Sequence, residues 1–476
     1  MSAAWHDEEA QSLVAKAAGS EDVAPEESPA APVVTSAWHG EEACSLLCGL
    51  APGKDSALLH LLTCPTCRTW ATRRVLQKLG TGEKPPDEEA NWSRLHDRLP
   101  WLLMEVDRRS AEAEALLLDL VSHPADEQPK ALEDPRFQSF ELLGLLLEVS
   151  QEAQRKDVER SVVLADLAAQ LANRLLRDER DEVKCALYLA RAAILKGNAR
   201  RLTGRLREAE DVLGRATYSL AWPFESWDRA AFCRALGLLR WEQGRLDEAA
   251  ALLRHSARGF GEQYLPQEAG ATSVLRGLLS LEQNRTKRAA RLLQDGRAAL
   301  DPRARPWLTV RAGLSLALAF ADLGRLNRAT VALEEALRHY KGVRDEREQI
   351  RVYWLEGKIL GRIGGQEDAE HVLAAVRGKL IAERSLPEAV LCSLDLAALL
   401  VNAGRGAEAP ALLDEIEASF PGEDKGLDVT RRVARVFLDQ TAGGEHISRA
   451  ELAQAASTVR RIFRLRGYSV ERLPFA

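Results

Sequence analysis

A turn recurs in this chain at an unvarying step of 40 residues, at Gly204, Gly244, Asn284, Gly324, Gly364 and Gly404. The fifth residue after each turn is alanine (Ala209, Ala249, Ala289, Ala329, Ala369, Ala409) and the ninth is leucine (Leu213, Leu253, Leu293, Leu333, Leu373, Leu413). Seven residues before each turn stands a small residue: Gly197, Gly237, Gly277, Ala317, Gly357 or Ala397. Apolar periodicity on both sides of each turn predicts two helices joined by a tight connection, an αα-hairpin. The turn glycine suits a helix C-cap with positive φ, and asparagine is its usual substitute there. Small residues such as Gly237 and Ala249 are expected where the two helices cross. The leucines are expected to fill the space between hairpins, each contributing roughly 1.5–3 kcal/mol of burial. One hairpin cannot bury its apolar face alone, so the copies must stack into a continuous core.

The offsets of Gly237, Gly244, Ala249 and Leu253, and of Gly357, Gly364, Ala369 and Leu373, match the pattern of the tetratricopeptide repeat, which residues 183–425 resemble. Units of that family are usually about 34 residues long. The longer step implies longer helices or connections, as in the tetratricopeptide-like arrays of some large bacterial transcription regulators. The resemblance implies an all-α, right-handed αα-hairpin solenoid of about six repeats, with the first helix of each hairpin lining a concave surface. Gly444 continues the step without a matching alanine, so residues 426–476 are expected to hold a degenerate repeat and a capping helix started by the Ser448/Glu451 capping box.

Composition agrees with helices throughout: Leu, Ala, Arg and Glu dominate and aromatics make up 5% of the 476 residues. With 65 basic and 71 acidic residues, the whole-chain charge supports neither nucleic-acid nor membrane binding. No apolar run reaches the ~20 residues that span a bilayer, and the start lacks a basic and apolar leader, so the chain is expected to be cytoplasmic. There is no phosphate-binding glycine loop, nucleophile elbow or His-Glu-x-x-His helix. A non-enzymatic protein is expected. Residues 1–35, rich in proline, small residues and acids, are expected to be disordered. A linker is expected over 79–91, and non-repeating helices over 92–182 are expected to cap the stack. The segment Ala4–Leu13 is echoed by Ala37–Leu46, without an evident physical reason.

Residues 36–78 carry the strongest chemical signal, the spacing His-x3-Cys-x2-Cys at His60, Cys64 and Cys67. His60 and Cys64 fall one helical turn apart, and the Cys-Pro-x-Cys step ends the helix so that a second thiolate can fold back. Zinc suits such a thiolate and imidazole set, and it would supply folding energy that so small a unit lacks. Cys44 is favoured as the fourth ligand, with Cys48 and His39 as neighbours on the preceding segment. The stretch resembles the zinc-binding anti-sigma factor domain, which implies sequestration of a sigma factor as the alternative to a plain interaction scaffold. In that family the upstream ligand usually lies further from the histidine, a departure that counts against sigma-factor binding here.

Given tetratricopeptide geometry, the exposed first-helix positions are rather basic. They are Arg191, Arg311 and Arg351 thirteen residues before the turn, Arg234 and Trp354 ten before, Asn198 and Lys358 six before, and Arg201 and Trp241 three before. Acids at the adjoining position, Glu242, Glu282 and Asp322, dilute this character. Such a groove could clamp an acidic or C-terminal peptide of a partner protein; alternatively the tryptophans pack between helices and the arginines are solvated. The cluster Arg460, Arg461, Arg464 and Arg466 is a weaker option for meeting nucleic-acid phosphates. The head makes a direct prediction. The purified chain should carry one zinc per molecule by elemental analysis, lost in Cys64→Ser or Cys67→Ser with the helical signal of the stack retained, and a fully folded zinc-free chain would rule the site out.

Overall fold

A computed structural model describes residues 107–420 apart from 155–156, 179–181, 220–225, 264 and 341–345, together with single positions at 104, 435, 456, 458 and 459. The disordered N-terminal segment, the zinc-binding head with His60, Cys64, Cys67 and Cys44, the linker, and nearly all of 426–476 expected from the sequence lie outside the described residues. The described residues are helical with short turns, and no strand occurs among them. They divide into two compact units, one holding residues up to Ala199 with Asp211–Arg229, the other Arg200–Glu210 and the chain from Ala230 onward. No helix among the described residues is long and apolar enough to cross a membrane.

In the first unit a helix over 107–122 (α1) is followed by α2 (Gln128–Ala131), α3 (Phe140–Ala153) and α4 (Val158–Arg177). Pro124 follows the end of α1, and Pro135 opens a 3-10 turn over Pro135–Phe137. Ser139 and Asp157 cap α3 and α4 by accepting from the backbone N–H groups of Leu142 and Arg160, at 3.2 and 3.0 Å. Leu120, Leu132, Phe137, Leu142, Leu146, Leu171 and Leu175 are fully buried in its core. The helices α5 (Glu182–Leu202) and α6 (Leu206–Ser219) flank Gly204.

The second unit is a run of hairpins: α7–α8 (Ser226–Glu242, Leu246–Glu262), α9–α10 (Pro266–Glu282, Thr286–Ala298), α11–α12 (Pro306–Asp322, Leu326–Tyr340), α13–α14 (Glu346–Ile363, Gln366–Ala382) and α15–α16 (Leu386–Asn402, Ala409–Ser419). Successive hairpins pack through α8 on α9, α10 on α11 and α14 on α15, and the first helices α9, α11, α13 and α15 touch in sequence. One apolar core runs from Leu238 to Ile359 and a second from Ile350 past Phe420.

All six turns adopt the left-handed conformation, with φ of 77° at Gly204 and Gly244, 58° at Asn284, 70° at Gly324, 103° at Gly364 and 75° at Gly404. Each of five closes with the same pair of backbone bonds. At Gly244, its N–H donates to Trp241 O at 3.0 Å and the Arg245 N–H donates to Arg240 O at 2.8 Å, with equivalent pairs at Gly204, Asn284, Gly324 and Gly404. At the remaining turn the Gly365 N–H donates to Leu360 O at 3.0 Å.

In four of the hairpins the repeated leucine, buried in the core, seats on the glycine of its own hairpin. A methyl placed on Gly277 would lie 2.6 Å from Leu293 Cγ and 3.2 Å from its backbone nitrogen, and one on Gly197 would lie 2.6 Å from Leu213 Cγ. The equivalent distances are 3.1 Å at Gly237 to Leu253 and 2.9 Å at Gly357 to Leu373. Two helices also approach closely at Gly270 and Gly296, where a methyl on either would stand 2.9 Å from the carbonyl oxygen of the other. Alanine favours a helix over glycine by up to about 1 kcal/mol, whereas overpacking costs about 1–3 kcal/mol. Chemical denaturation should therefore show Gly277→Ala destabilised by up to about 2 kcal/mol. Gly378→Ala, exposed in mid-α14 with nothing within 4 Å of the added methyl, should gain about 0.5–1 kcal/mol. Equal behaviour of the two variants would mean that the leucine does not rest on its glycine.

Candidate partner-binding surface

The residues expected to line a groove are engaged inside the stack. Trp241 is 0% and Trp354 1% exposed, too buried to offer hot-spot area to a partner. The Trp241 indole N–H donates to Glu282 at 2.7 Å and that of Trp354 to Asp395 at 2.8 Å, in each case an acid on the first helix of the next hairpin. Lys358, also buried, reaches the same Asp395 at 3.0 Å. Arg201 and Glu242 form an ion pair in which both side chains are almost wholly buried.

The remaining candidates follow the same logic. Arg191 holds Asp228 with two bonds, from Nε at 2.8 Å and Nη2 at 3.3 Å, and Asn198 donates to Gln154 at 2.7 Å. Arg234 pairs with Glu268, and Arg305 grips that carboxylate from the next hairpin. Arg311 is buried in α11, where every residue from Thr309 to Ala321 is buried, and Arg351 is half-buried. A clamp of open indoles and guanidinium groups is not what these positions present.

The acids one residue past the candidate position were the missed partners. Three residues before one turn stands the donor, two before the next stands the acceptor, a separation of 41 for Arg201 to Glu242 and for Trp241 to Glu282. Arg362 reverses the roles, donating back to Asp322 at 2.6 Å. A comparison of charges across one repeat rather than within it carries that signal.

Arg377 fastens the far end of the stack. Its buried guanidinium donates to Ser393 Oγ at 2.7 Å, Glu415 at 2.7 Å and the Leu412 carbonyl at 2.6 Å, joining α14, α15 and α16. Beside it, burial pushes the Cys392 thiol well above its ordinary value, with Asp395 acting in the same direction. This cysteine is protonated and inert at neutral pH. Its Sγ–H contacts the Leu373 carbonyl at 3.5 Å, a packing role. Among the described residues no group of three His, Cys, Asp or Glu side chains is placed to hold a metal ion.

Glu268 ties stability to pH. Burial raises its carboxyl, but Arg234 and Arg305 together outweigh burial and hold it below the ordinary value of 4.5. The stabilisation is therefore complete above pH 4.5 and lost as pH falls through the lower folded value. Glu268→Gln should be less stable than the native chain by about 2 kcal/mol at pH 7, and the gap should close on acidification below 4.5 in denaturation curves. A gap independent of pH would refute the pairing.

No family model matches the chain, and no curated protein matches it. Among solved structures it is similar to a Rap protein complexed with competence and sporulation factor, at 14% identity over 70% of this chain and 99% of the other, with a TM-score of 0.48. It is also similar to aspartyl phosphate phosphatase F from Bacillus subtilis, at 13% identity over 82% of this chain and 96% of the other, TM-score 0.45. A third is the P58(IPK) TPR domain, at 13% identity over 67% and 98%, TM-score 0.20. The fold stated above rests on the repeat geometry of the chain itself.

Proposed function

We propose that this chain is a non-enzymatic interaction scaffold of bacterial signalling or regulation, whose hairpin stack binds a partner protein or peptide. One observation carries this. Six copies share their turn, alanine, leucine and small residue, all spent on the turn and the core, whereas the outward positions differ from copy to copy. Three residues after the turn, for instance, stand Arg207, Asp247, Lys287, Asn327, Glu367 and Ala407 in successive repeats, all exposed. A uniform framework with a varied exterior is what an extended recognition surface requires. Large apolar side chains also reach solvent on neighbouring helices, Val331 and Leu326 on α12 and Tyr353 on α13. The zinc-binding head stays within this proposal on its ligand spacing.

The test is retention of a partner from a lysate of the source organism by the immobilised intact chain and by a form lacking residues 1–80. The same partner should be held by both. A partner that disappears with the head would move binding away from the stack and contradict the proposal.

A further inference from the structure

Buried and half-buried arginines of the second unit are repeatedly met by an acid of the chain about one repeat away: Arg201 by Glu242, Arg234 and Arg305 by Glu268, Arg297 by Glu335, and Arg362 by Asp322. Four arginines that lie together depart from this rule. Arg254 stands on α8, Arg276 on α9, and Arg288 and Arg291 on α10. Among the described residues, none of their side chains has an ion-pair or hydrogen-bond partner. Asp295 lies one turn beyond Arg291, yet it is exposed and makes no ion pair with it.

The packing brings these four side chains to one place. Helix α9 packs against both α8 and α10, and Arg288 and Arg291 are three residues apart on one face of α10. Arg276 and Arg254 are half-buried, and Arg288 and Arg291 are exposed. Burial first, then the charges of Arg288, Arg254 and Arg291, hold its guanidinium below the ordinary arginine value. Nothing in the hairpin design requires a charge at this position. Three other copies place a leucine there, Leu236, Leu316 and Leu396, of which Leu316 and Leu396 are each 4% exposed. The third repeat therefore carries a half-buried cation among like charges where a leucine would serve the fold, and it lacks the carboxylate that the other arginines have.

We propose that Arg254, Arg276, Arg288 and Arg291 form a docking site for a carboxylate-rich segment of a partner protein. That segment supplies from outside the counter-charges that neighbouring repeats supply from within. Guanidinium forks match carboxylates in planar two-point contacts, which suits side-by-side acidic residues. The site uses the second helices of two hairpins and the first helix between them, none of it the first-helix set anticipated from the offsets. It rests on the scaffold function and locates the surface that performs it.

The experiment is titration of fluorescein-labelled hexaglutamate with the intact chain at low ionic strength, followed by anisotropy. Arg276→Leu and the double change Arg288→Gln with Arg291→Gln should each weaken binding about ten-fold or more. Arg276→Leu should keep or raise the melting temperature, since sister repeats carry that residue. Undiminished affinity in both variants would overturn the site, as would displacement of the peptide by inorganic pyrophosphate at equal charge, which would mark a phosphate site. A stack-bound partner that these variants still retain would also overturn it while leaving the scaffold function standing, whereas absence of any stack-bound partner would count against the scaffold itself.

Discussion

A side chain on the first helix of one hairpin reaches an acid on the first helix of the next, and the continuity of the second unit depends on that bridge. Apolar packing brings helices together without fixing their sliding register, because leucine and alanine faces tolerate small shifts. An indole N–H or a guanidinium does not. Trp241 must find Glu282, and Trp354 must find Asp395. An unmet donor in so dry a place costs about 1–3 kcal/mol. The wholly buried Arg201–Glu242 pair makes the same demand more severely, since removing one partner strands the other charge at a cost of about 3–5 kcal/mol. Such a pair adds little net stability compared with apolar residues of the same size. Its effect is to penalise every other register.

Within each hairpin the constraint is steric. The leucine nine residues past the turn occupies space left by a missing side chain, and the turn's positive φ delivers the second helix onto the first at the required distance. These conditions are coupled: a glycine without its leucine leaves a void, and a leucine without its glycine clashes. Hairpins built this way present nearly identical inner surfaces, so the differences among them fall on the outside. There the second and third repeats together carry Arg254, Arg276, Arg288 and Arg291, and the fourth and fifth carry Glu334, Glu356 and Asp368 at the offsets of the first three. Burial, with no opposing charge, raises the Glu356 carboxyl, so both clefts hold charge that the fold itself does not satisfy.

The hairpins were legible in the sequence because turn, crossing residue and leucine are local requirements that repeat at fixed spacing. All six positive-φ turns fall where glycine or asparagine recurred. The left-handed Arg384, φ 57° between α14 and α15, was not legible, because only one copy has it and arginine gives no conformational hint; its N–H donates to Ile381 O at 3.1 Å, and Nη1 donates to the Ser419 carbonyl at 3.2 Å. Trp241, Trp354, Arg201 and Lys358 were read as open groove residues and are buried. Offsets along one helix say which way a side chain points, not whether a neighbouring hairpin meets it, and that depends on pairing across a full repeat. The unpaired arginines escaped for the same reason, since Arg254, Arg276, Arg288 and Arg291 come from three helices and converge only when the stack forms.

The bridge between hairpins is tested most directly by a double-mutant cycle on Trp241→Phe and Glu282→Gln, with stability measured by chemical denaturation for both single variants and the double variant. A buried hydrogen bond to a carboxylate predicts a coupling energy of about 1–3 kcal/mol. A coupling within error of zero would show that the indole and the carboxylate do not sense each other, and would contradict the account of how one repeat fixes the next.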